Sequence, residues 1–398
     1  MEPPLHVVGI SYKTAPIGVR ECVAVSGPRL EALLERLADE AAEAVVVSTC
    51  NRTELYLVRP RRDPLDVYTD HLGRYPEHTY RHRGTAALRH LFRVAAGLDS
   101  QVVGEAQILG QVRSGLFAAR KAGTTGPISE QAFQTAIAAG KRARSETAIG
   151  RGAVSVAYAA VDLARAVFGD LAGLNALVLG AGEMAERVLE HLHHYGAGEV
   201  WVLNRTLANA EQLARRYGGR ACGMEHVAEA LAHADIVIAS AAAPHYVVRE
   251  ERVRAVLAQR ERPLFLIDIA LPRNVDPAVA RLAGAYLYNL DDLETVAEKN
   301  RAARAGELPR VERIVEDELA GWLEWYAGHV AAGRIRRLRR WIEDALRREL
   351  EAGLGTATVD DEARARLLHR LVGKTAHPLI RMAKDPQLGP ALERLLEG

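Results

Sequence analysis

The sequence predicts a multidomain protein of the α/β and α+β classes, and three observations support that prediction. Between residues 153 and 290, short apolar runs alternate with amphipathic segments, which is typical of a doubly wound parallel sheet. Residues 1–152 mix strand and helix patterns without that regular alternation. From residue 291 to 398 the chain is charged, punctuated by leucine and shows no strand pattern. We therefore expect an N-terminal α+β domain, a central α/β domain and a C-terminal all-helical domain.

The composition is typical of a globular protein. The 398 residues suffice for two or three domains, and 48% of them are hydrophobic, which is ample for ordinary cores. The 52 lysines and arginines nearly balance the 51 acidic residues, so any nucleic-acid partner must meet a local basic patch. The odd, widely spaced Cys22, Cys50 and Cys222 fit neither a disulfide framework nor a zinc site. We expect a cytoplasmic protein with no targeting segment, no membrane span and no metal.

The N-terminal domain shows strand and helix patterns in succession. Apolar, β-branched runs of strand length indicate β-strands, and apolar residues at helical spacing indicate amphipathic helices. Residues 59–83 predict a loop or short helices. Strands are expected over residues 6–10, 44–48 and 54–58, and helices over residues 29–43, 84–97 and 129–147. Thr85 and Gly97 are the expected N-cap and C-terminal stop of one of these helices.

The functional prediction depends most on residues 44–56. A buried strand ends at Ser48, and a polar segment with Thr49, Cys50 and Arg52 follows. Side chains at such a strand end face a cleft. Cysteine attacks only as the thiolate, which a nearby cation such as Arg52 favours. The alternative is a cysteine buried as a small hydrophobe, since free cysteine is among the most buried residue types.

His90 lies in the helix predicted over residues 84–97. The expected buried stripe of this helix consists of Leu88, Leu91, Phe92 and Ala95. At about 100° per residue, His90 falls on the opposite side. Two interpretations follow, a solvent-facing histidine and a functional one.

A glycine-rich turn in the central domain indicates a nucleotide site. The strand predicted over residues 174–179 runs into G-x-G-x-x-A, which opens a helix over residues 183–195. In this context the glycines permit a tight turn and the close approach of a pyrophosphate to the helix N-terminus. The central domain is therefore predicted to be a Rossmann fold that binds a dinucleotide. The expected contacts are Gly180, Ala181, Gly182, Glu183, Met184 and Ala185.

The end of the next strand indicates which dinucleotide binds. Asn204, Arg205 and Thr206 stand where an NAD site presents an acid to the ribose hydroxyls. An arginine there favours the 2′-phosphate, so NADP is preferred over NAD. Asp268 and residues 270–274 follow a later strand near the expected nicotinamide, where a structural turn is an equally good interpretation.

The C-terminal residues predict an amphipathic helix that packs against a neighbour or a second subunit. Pro309 is expected to start or kink a helix. The apolar residues that recur at helical spacing are Ile335, Leu338, Ile342, Ala345 and Leu346.

A cysteine domain joined to an NADP-binding domain suggests hydride transfer at a thioester or thiohemiacetal. Several motifs occur in order, at residues 9–16, 48–54, 97–100 with 104–111, 145–147 with 153–157, and 180–184. Together these motifs resemble the glutamyl-tRNA reductase family. Tyr12 and Asn274 depart from this family, which commonly has histidine and aspartate there, so neither is given a catalytic role. The tail resembles the family's dimerisation domain.

The resemblance implies that Cys50 attacks the ester of glutamyl-tRNA(Glu), releases the tRNA and holds a glutamyl thioester. NADPH then reduces the thioester to glutamate-1-semialdehyde, in the first step of five-carbon tetrapyrrole (porphyrin) biosynthesis. His90 is implied as acid or base, Arg52 as the partner of the side-chain carboxylate, and Glu54 as a residue that orients Arg52. The other implied substrate contacts are Thr49, Asn51, Ser100, Glu105, Ala106, Gln107 and Gln111, with Glu105 near the α-ammonium.

The same resemblance assigns a role to each domain. Residues 1–152 recognise glutamyl-tRNA, residues 153–290 bind NADP, and residues 291–398 connect and dimerise. A homodimer and a transient contact with the downstream glutamate-1-semialdehyde aminomutase are also implied. Because hydride transfer needs the reacting atoms within about 3–3.5 Å, the first two domains must pack face to face or close on the substrate. We expect a hinge motion during turnover.

Two other functions fit part of the pattern. An NADP-dependent dehydrogenase of the shikimate dehydrogenase type has a similar second domain, but such an enzyme needs no cysteine. A redox-responsive binding protein would use the NADP fold as a sensor and would yield no product. A tRNA-binding scaffold without chemistry is a variant of the second alternative.

Overall fold

Two β-sheets of different connectivity organise residues 2–319, which form one of two units; the other comprises residues 320–398. The computed structural model describes residues 2–101, 104, 107–149, 156–293, 306–354, 362, 365, 366 and 368–372. Within the described residues, both sheets belong to the first unit and the second unit is helical.

The N-terminal sheet is antiparallel, with the strand order β2-β3-β1-β4. Its strands are β1 (Leu5–Ser11), β2 (Ala41–Ser48), β3 (Arg52–Pro60) and β4 (Tyr80–Arg83). The helices of this region are α1 (Ile17–Val23), α2 (Gly27–Leu37), α3 (Pro64–Leu72), α4 (Gly84–Ala96), α5 (Gln107–Lys121) and α6 (Pro127–Glu146). Helices α3 and α4 pack against β1, while α5 and α6 pack against β2. Strands β1 and β3 are therefore buried along most of their length.

The structure confirms the three predicted N-terminal strands and corrects their surroundings. The helix predicted over residues 29–43 ends at Leu37, because residues 41–43 already pair with β3. Strand β4 lies in the predicted loop; its sequence, Tyr-Arg-His-Arg, lacks an apolar alternation because it forms a sheet edge. Thr85 is not an N-cap, since α4 begins at Gly84 without a side-chain cap. Gly97 ends α4 in the left-handed conformation, as predicted, with φ 79°.

The central sheet is parallel, with the strand order β10-β9-β8-β5-β6-β7. Its strands are β5 (Ala176–Leu179), β6 (Val200–Leu203), β7 (Arg220–Cys222), β8 (Ile236–Ala239), β9 (Leu264–Asp268) and β10 (Ala285–Asn289). The helices are α7 (Val156–Phe168), α8 (Glu183–His194), α9 (Leu207–Tyr217), α10 (Val227–His233) and α11 (Glu250–Leu257). The strand order reverses between β5 and β8, as in a Rossmann fold, and ligands of such sheets bind at the carboxyl ends beside that point.

A long helix, α12 (Leu308–Leu354), continues for 47 residues. Pro309 lies in its first turn, where proline is tolerated, so the prediction that it starts a helix is confirmed. Most of the predicted apolar stripe packs together with a later segment: Ile335, Leu338, Ile342 and Leu346 form a cluster with Leu368 and Val372. Across the described residues, no helix is long and apolar enough to cross a membrane.

Candidate active site

Cys50 lies at the tip of the hairpin that joins β2 and β3. The Thr49 amide donates to the Arg52 carbonyl at 2.8 Å and closes the turn. The Thr49 hydroxyl oxygen accepts the amides of Asn51 at 3.0 Å and Arg52 at 3.2 Å. Thr49 therefore stabilises the turn on which Cys50 lies, and this role is separate from the substrate contact expected for it.

The half-buried Cys50 lines a cavity of about 440 Å³ that also touches the parallel sheet. Its other walls are Gln107, Gly110, Gln111 and Ser114 of α5, Glu183 and Met184 of α8, Ser240, Ala241 and Ala242 after β8, and Ile269, Ala270 and Leu271 after β9. Cys50 also packs against the core of the central domain. Of the two expected arrangements, the structure therefore has the domains packed face to face, and the hinge motion stays a prediction.

Arg20, rather than Arg52, donates to the cysteine residue. Arg20 Nη1 donates to the Cys50 carbonyl at 2.6 Å, and the Arg20 side chain is buried. The Arg52 guanidinium instead bonds Glu54 Oε1 at 2.9 Å and the Asp99 carbonyl at 2.5 Å. The sequence analysis missed Arg20; the available signal was an Arg-Glu pair inside the otherwise apolar α1.

Glu54 is a fully buried carboxylate held by four side chains. Glu54 Oε1 accepts from Arg52 at 2.9 Å and from the Tyr80 hydroxyl, and it lies 2.7 Å from His90 Nε2. Glu54 Oε2 accepts from the Tyr56 hydroxyl at 2.7 Å. Burial disfavours the ionised form, but the charges of Arg52 and His90 outweigh it and lower the pKa of Glu54 below its ordinary value. Glu54 thus orients Arg52 and His90 together.

His90 does not face open solvent. Its side chain is 13% exposed, and its ring lies 5.4 Å from the Tyr80 ring and 5.0 Å from the His82 ring, measured between centroids. The reason is that α4 is covered on two sides, by α6 and by strands β1 and β4. The helical wheel placed His90 off the stripe but could not show what covers the opposite side.

A second cavity, of about 400 Å³, contains His90 and Arg52 but not Cys50. Asp99 lies in its wall and bonds Lys13 at 2.5 Å and Arg93 at 3.2 Å. Burial disfavours the charge on Asp99, but Lys13 and Arg93 outweigh it and lower the pKa of Asp99. The cavity is rich in cations, which suits an anionic group of a ligand.

The buried polar atoms near this site without a hydrogen-bond partner among the described residues include Asn51 Oδ1 and Arg52 Nε. Buried polar atoms are seldom left without a partner, so these two are candidates for ligand contacts. Ser100 is buried, and its carbonyl accepts from the Tyr12 hydroxyl at 3.2 Å. Glu105 and Ala106 lie outside the described residues.

The dinucleotide fingerprint borders a cavity of about 1040 Å³ at the carboxyl ends of the parallel strands. Gly180 has φ 111°, and a Cβ there would lie 3.0 Å from the Ala241 backbone, so the turn requires glycine. A Cβ on Gly182 would meet nothing within 4 Å, which leaves space for a ligand to approach the backbone. The predicted contacts in this wall are Gly180, Ala181, Gly182, Asn204, Arg205 and Thr206.

The remaining fingerprint residues have other positions. Glu183 and Met184 line the cavity of Cys50, and Ala185 is buried in the core. Residues Ser240, Ala241 and Ala242 line both cavities. The cofactor cavity and the cysteine cavity therefore share a wall.

Asp268 organises the loop that follows β9. Its carboxylate accepts the amides of Ala270 at 3.1 Å, and of Asn274 and Val275 at 2.7 Å each. Burial raises the pKa of Asp268 to about 7, against the effect of these three amides. Asn274 in turn bonds the backbone amide and carbonyl of Ala241, at 2.8 and 3.0 Å. These contacts are those of a structural turn, which is one of the two interpretations that the sequence allowed for Asp268 and residues 270–274.

Comparison with known proteins identifies the family. Residues 8–147 match the glutamyl-tRNAGlu reductase N-terminal domain, residues 162–296 match shikimate / quinate 5-dehydrogenase, and residues 310–397 match the glutamyl-tRNAGlu reductase dimerisation domain. The chain is 52% identical to a glutamyl-tRNA reductase of Thermus thermophilus over 395 residues, which cover 98% of this chain and 96% of that relative. The chain belongs to the glutamyl-tRNA reductase family.

Other family members agree with this assignment. A glutamyl-tRNA reductase of Deinococcus radiodurans is 48% identical over 322 residues, covering 80% of this chain and 92% of that relative. The solved glutamyl-tRNA reductase of Methanopyrus kandleri is 34% identical with a TM-score of 0.58, and the match covers 100% of this chain and 98% of the other.

Family membership fixes the activity in outline. The protein is an oxidoreductase of glutamyl-tRNA and acts at the first step of tetrapyrrole biosynthesis. The three-domain architecture expected from the sequence is confirmed, with a dehydrogenase-like domain for a nicotinamide cofactor and a tail that pairs two copies of the chain.

Proposed function

We propose that the protein reduces glutamyl-tRNA(Glu) to glutamate-1-semialdehyde with NADPH, through a thioester on Cys50. The observation that supports this most directly is the cavity in which Cys50 faces the carboxyl edge of the parallel sheet. Sulfur forms a bond to the ester carbonyl carbon, the bond to the ribose oxygen breaks, and the tRNA leaves with a proton. Hydride addition to the thioester and loss of the thiol from the thiohemiacetal then release the aldehyde and restore Cys50.

The residues around the larger cavity fit NADPH, which supplies hydride when bound. The open space beside Gly182 suits the pyrophosphate, and Arg205 on the cavity wall suits the 2′-phosphate. Residues 153–290 are the proposed NADP domain, residues 1–152 the catalytic domain, and residues 291–398 the connecting and dimerisation domain.

The buried polar group around Glu54 supports the proposed roles of His90 and Arg52. Glu54 fixes the His90 ring, which is suited to proton transfer because an imidazole nitrogen can donate or accept a proton. Arg52 Nη1 donates to Glu54 and Nη2 donates to the Asp99 carbonyl, while Nε has no partner among the described residues and is the nitrogen we propose for the substrate carboxylate. Lys13 and Arg93 in the same cavity add positive charge.

The remaining substrate contacts stay proposals for the side chains around Cys50. Gln107 and Gln111 share its cavity, and Asn51 has a buried carbonyl oxygen available. Further proposed contacts are Thr49, Ser100, Glu105 and Ala106. Contact with the aminomutase also stays a prediction, which co-sedimentation of the two enzymes during turnover would test.

The decisive experiment is intact-protein mass spectrometry after mixing with glutamyl-tRNA in the absence of NADPH. We expect a glutamyl adduct on Cys50, followed by semialdehyde when NADPH is added. C50S should give neither. C222S is the matched control, because Cys222 is buried and burial raises the pKa of its thiol to about 11, which makes it a poor nucleophile.

The outcomes separate the proposal from its alternatives. A C50S variant that still makes semialdehyde at a comparable rate contradicts the thioester mechanism and favours a dehydrogenase that needs no cysteine. A wild-type protein that binds both substrates without forming aldehyde favours a sensor or a tRNA-binding scaffold.

A further inference from the structure

Helix α1 belongs to the N-terminal domain but is attached to the central one. The amide of Ile17 donates to Asp291 Oδ2 at 2.9 Å, and the Ile17 side chain joins the core of the central domain. Arg20 Nη2 bonds Asp291 Oδ1, while Nη1 of the same guanidinium donates to the Cys50 carbonyl at 2.6 Å. One buried side chain therefore connects the backbone of the nucleophile to a residue just beyond β10.

A second arm of α1 reaches the opposite wall of the Cys50 cavity. The Glu21 carboxylate accepts from the Arg273 amide at 2.5 Å, from Nε at 2.9 and 3.0 Å, and from Nη2 at 2.8 Å. Arg273 lies two residues after Leu271, the last of the residues 269–271 that line that cavity. We call Ile17, Arg20 and Glu21, with Arg273 and Asp291, the α1 clamp.

The clamp is built from charge-assisted bonds that are mostly shielded from water. The Arg20 side chain is 1% exposed, those of Glu21 and Arg273 are 14% and 21% exposed, and that of Asp291 is 36% exposed. Such bonds are about twice as strong as neutral ones and fix geometry through the planar guanidinium. Gln101 Nε2 adds another tie between the domains, donating to the Leu290 carbonyl at 2.6 Å.

We propose that the α1 clamp positions the acylated Cys50 for hydride transfer, so that its residues determine the rate of reduction but not the rate of thioester formation. The inference rests on the proposed thioester mechanism. Thioester formation needs only the sulfur and the ester carbonyl, so no reacting atom of the central domain has to be aligned with them. Reduction needs an acyl carbon on one domain and a hydride donor on the other, aligned within about 3–3.5 Å.

If the N-terminal and central domains are misaligned, the thioester gives a different product. A thioester that is not reduced is open to water, which forms a carbon–oxygen bond while the carbon–sulfur bond breaks. The products are free glutamate and the Cys50 thiol, with no change in oxidation state. Once the glutamate formed by uncatalysed ester hydrolysis is subtracted, the ratio of semialdehyde to glutamate reports the alignment of the two domains and does not depend on the fraction of enzyme that is folded.

The test compares both half-reactions in E21Q, R273Q and D291N. We expect tRNA release without NADPH to stay within about threefold of wild type, while semialdehyde formation at saturating NADPH falls about 10–100-fold, since a displacement of about 1 Å has an effect of this size. The charge-exchanged double variant, E21R with R273E, should recover part of the loss. E186Q, which removes an exposed ion pair with Arg216, is the matched control and should behave as wild type.

Two results would overturn the inference. Clamp variants that keep the wild-type ratio of semialdehyde to glutamate show that α1 does not position Cys50, as do variants that lose both half-reactions equally while melting normally. If D291N fails to fold, E21Q and the exchanged pair decide the outcome by the same ratio. A wild-type protein that forms no adduct on Cys50 instead refutes the proposed function itself.

Discussion

Glu54 and Arg52 lie two residues apart on β3, and both side chains are almost wholly withdrawn from water. Ions in such a place are tolerated only when each is matched by charge and hydrogen bonds. Here Tyr56, Tyr80 and His90 complete the shell of Glu54. The chemistry proposed for His90 and the stability of the N-terminal sheet therefore depend on the same carboxylate.

Removing the negative charge of Glu54 should strongly destabilise the fold. In E54Q, the Arg52 guanidinium stays buried without its counter-charge, and we expect the free energy of unfolding to fall by about 3–5 kcal/mol. Urea titration measures the change. E31Q, whose ion pair with Lys121 is exposed, is the control and should unfold at the wild-type urea concentration. An E54Q midpoint equal to that of E31Q would contradict the buried-pair description.

Arg205 should determine the choice of cofactor. In R205S, the KM for NADPH should rise about 10–100-fold because a charge-assisted bond to the 2′-phosphate is lost, whereas the KM for NADH should hardly change. Steady-state kinetics with both cofactors measures the ratio. R220S is a suitable control, since Arg220 packs over the Trp201 ring and is absent from the residues that line the cofactor cavity. Equal losses with both cofactors would reject this role.

Helix α5 packs closely against strand β2 of the catalytic hairpin. A Cβ on Gly115 would lie 2.6 Å from the Val46 carbonyl oxygen, whereas a Cβ on Gly110 of the same helix would meet nothing within 4 Å. The helix can therefore lie directly on β2 at Gly115 and present Gln107 and Gln111 to the cavity of Cys50.

The two glycines give a matched pair of variants. G115A should lower the free energy of unfolding by about 1–3 kcal/mol, because the helix must move away from the strand. G110A should raise it by about 0.5–1 kcal/mol, through the better helix propensity of alanine. Thermal unfolding of both variants tests the difference. A G115A protein as stable as G110A would show that the close approach is not required.

The elements that the sequence predicts correctly are those with a strong internal period. Helix α8 matches its predicted bounds of residues 183–195 within one residue, and the strand before the fingerprint is correct within two residues. Strand β7 has three residues, too few to show a period, and β4 is a charged sheet edge. Residues 38–43 read as helix by composition, and only the pairing with β3 makes part of them a strand.

The sequence predicts several of the residues that form the candidate site, but it does not predict the long-range hydrogen bonds that hold them in place. Cys50, Arg205 and the glycine turn stand out from local sequence alone. By contrast, the bonds that Arg20 makes to Cys50 and to Asp291 join residues 30 and 271 positions apart. No local pattern reveals such contacts, because they exist only once both domains are folded.

For the whole molecule, we expect low pH to reduce the stability of the fold by protonating the buried carboxylates of the N-terminal domain. The pKa values of Glu54 and Asp99 are lowered in the fold, so the unfolded chain binds protons first as the pH falls. Their contribution to stability is complete above their ordinary pKa values, near 4, and is lost progressively below. Urea midpoints between pH 7 and 3 should therefore fall steeply below about pH 4.5, and less steeply in E54Q than in wild type. Parallel curves would contradict this assignment.

Ser240, Ala241 and Ala242 form a wall between the cofactor cavity on one side and the Cys50 cavity on the other. We expect a group bound in one cavity to change the free energy of binding in the other, and such coupling is thermodynamically mutual. If acylation of Cys50 increases the affinity for NADPH, bound NADPH must stabilise the acylated enzyme by the same free energy. Titrating the protein with NADPH, followed by nicotinamide fluorescence, with and without the acyl group would measure this coupling free energy.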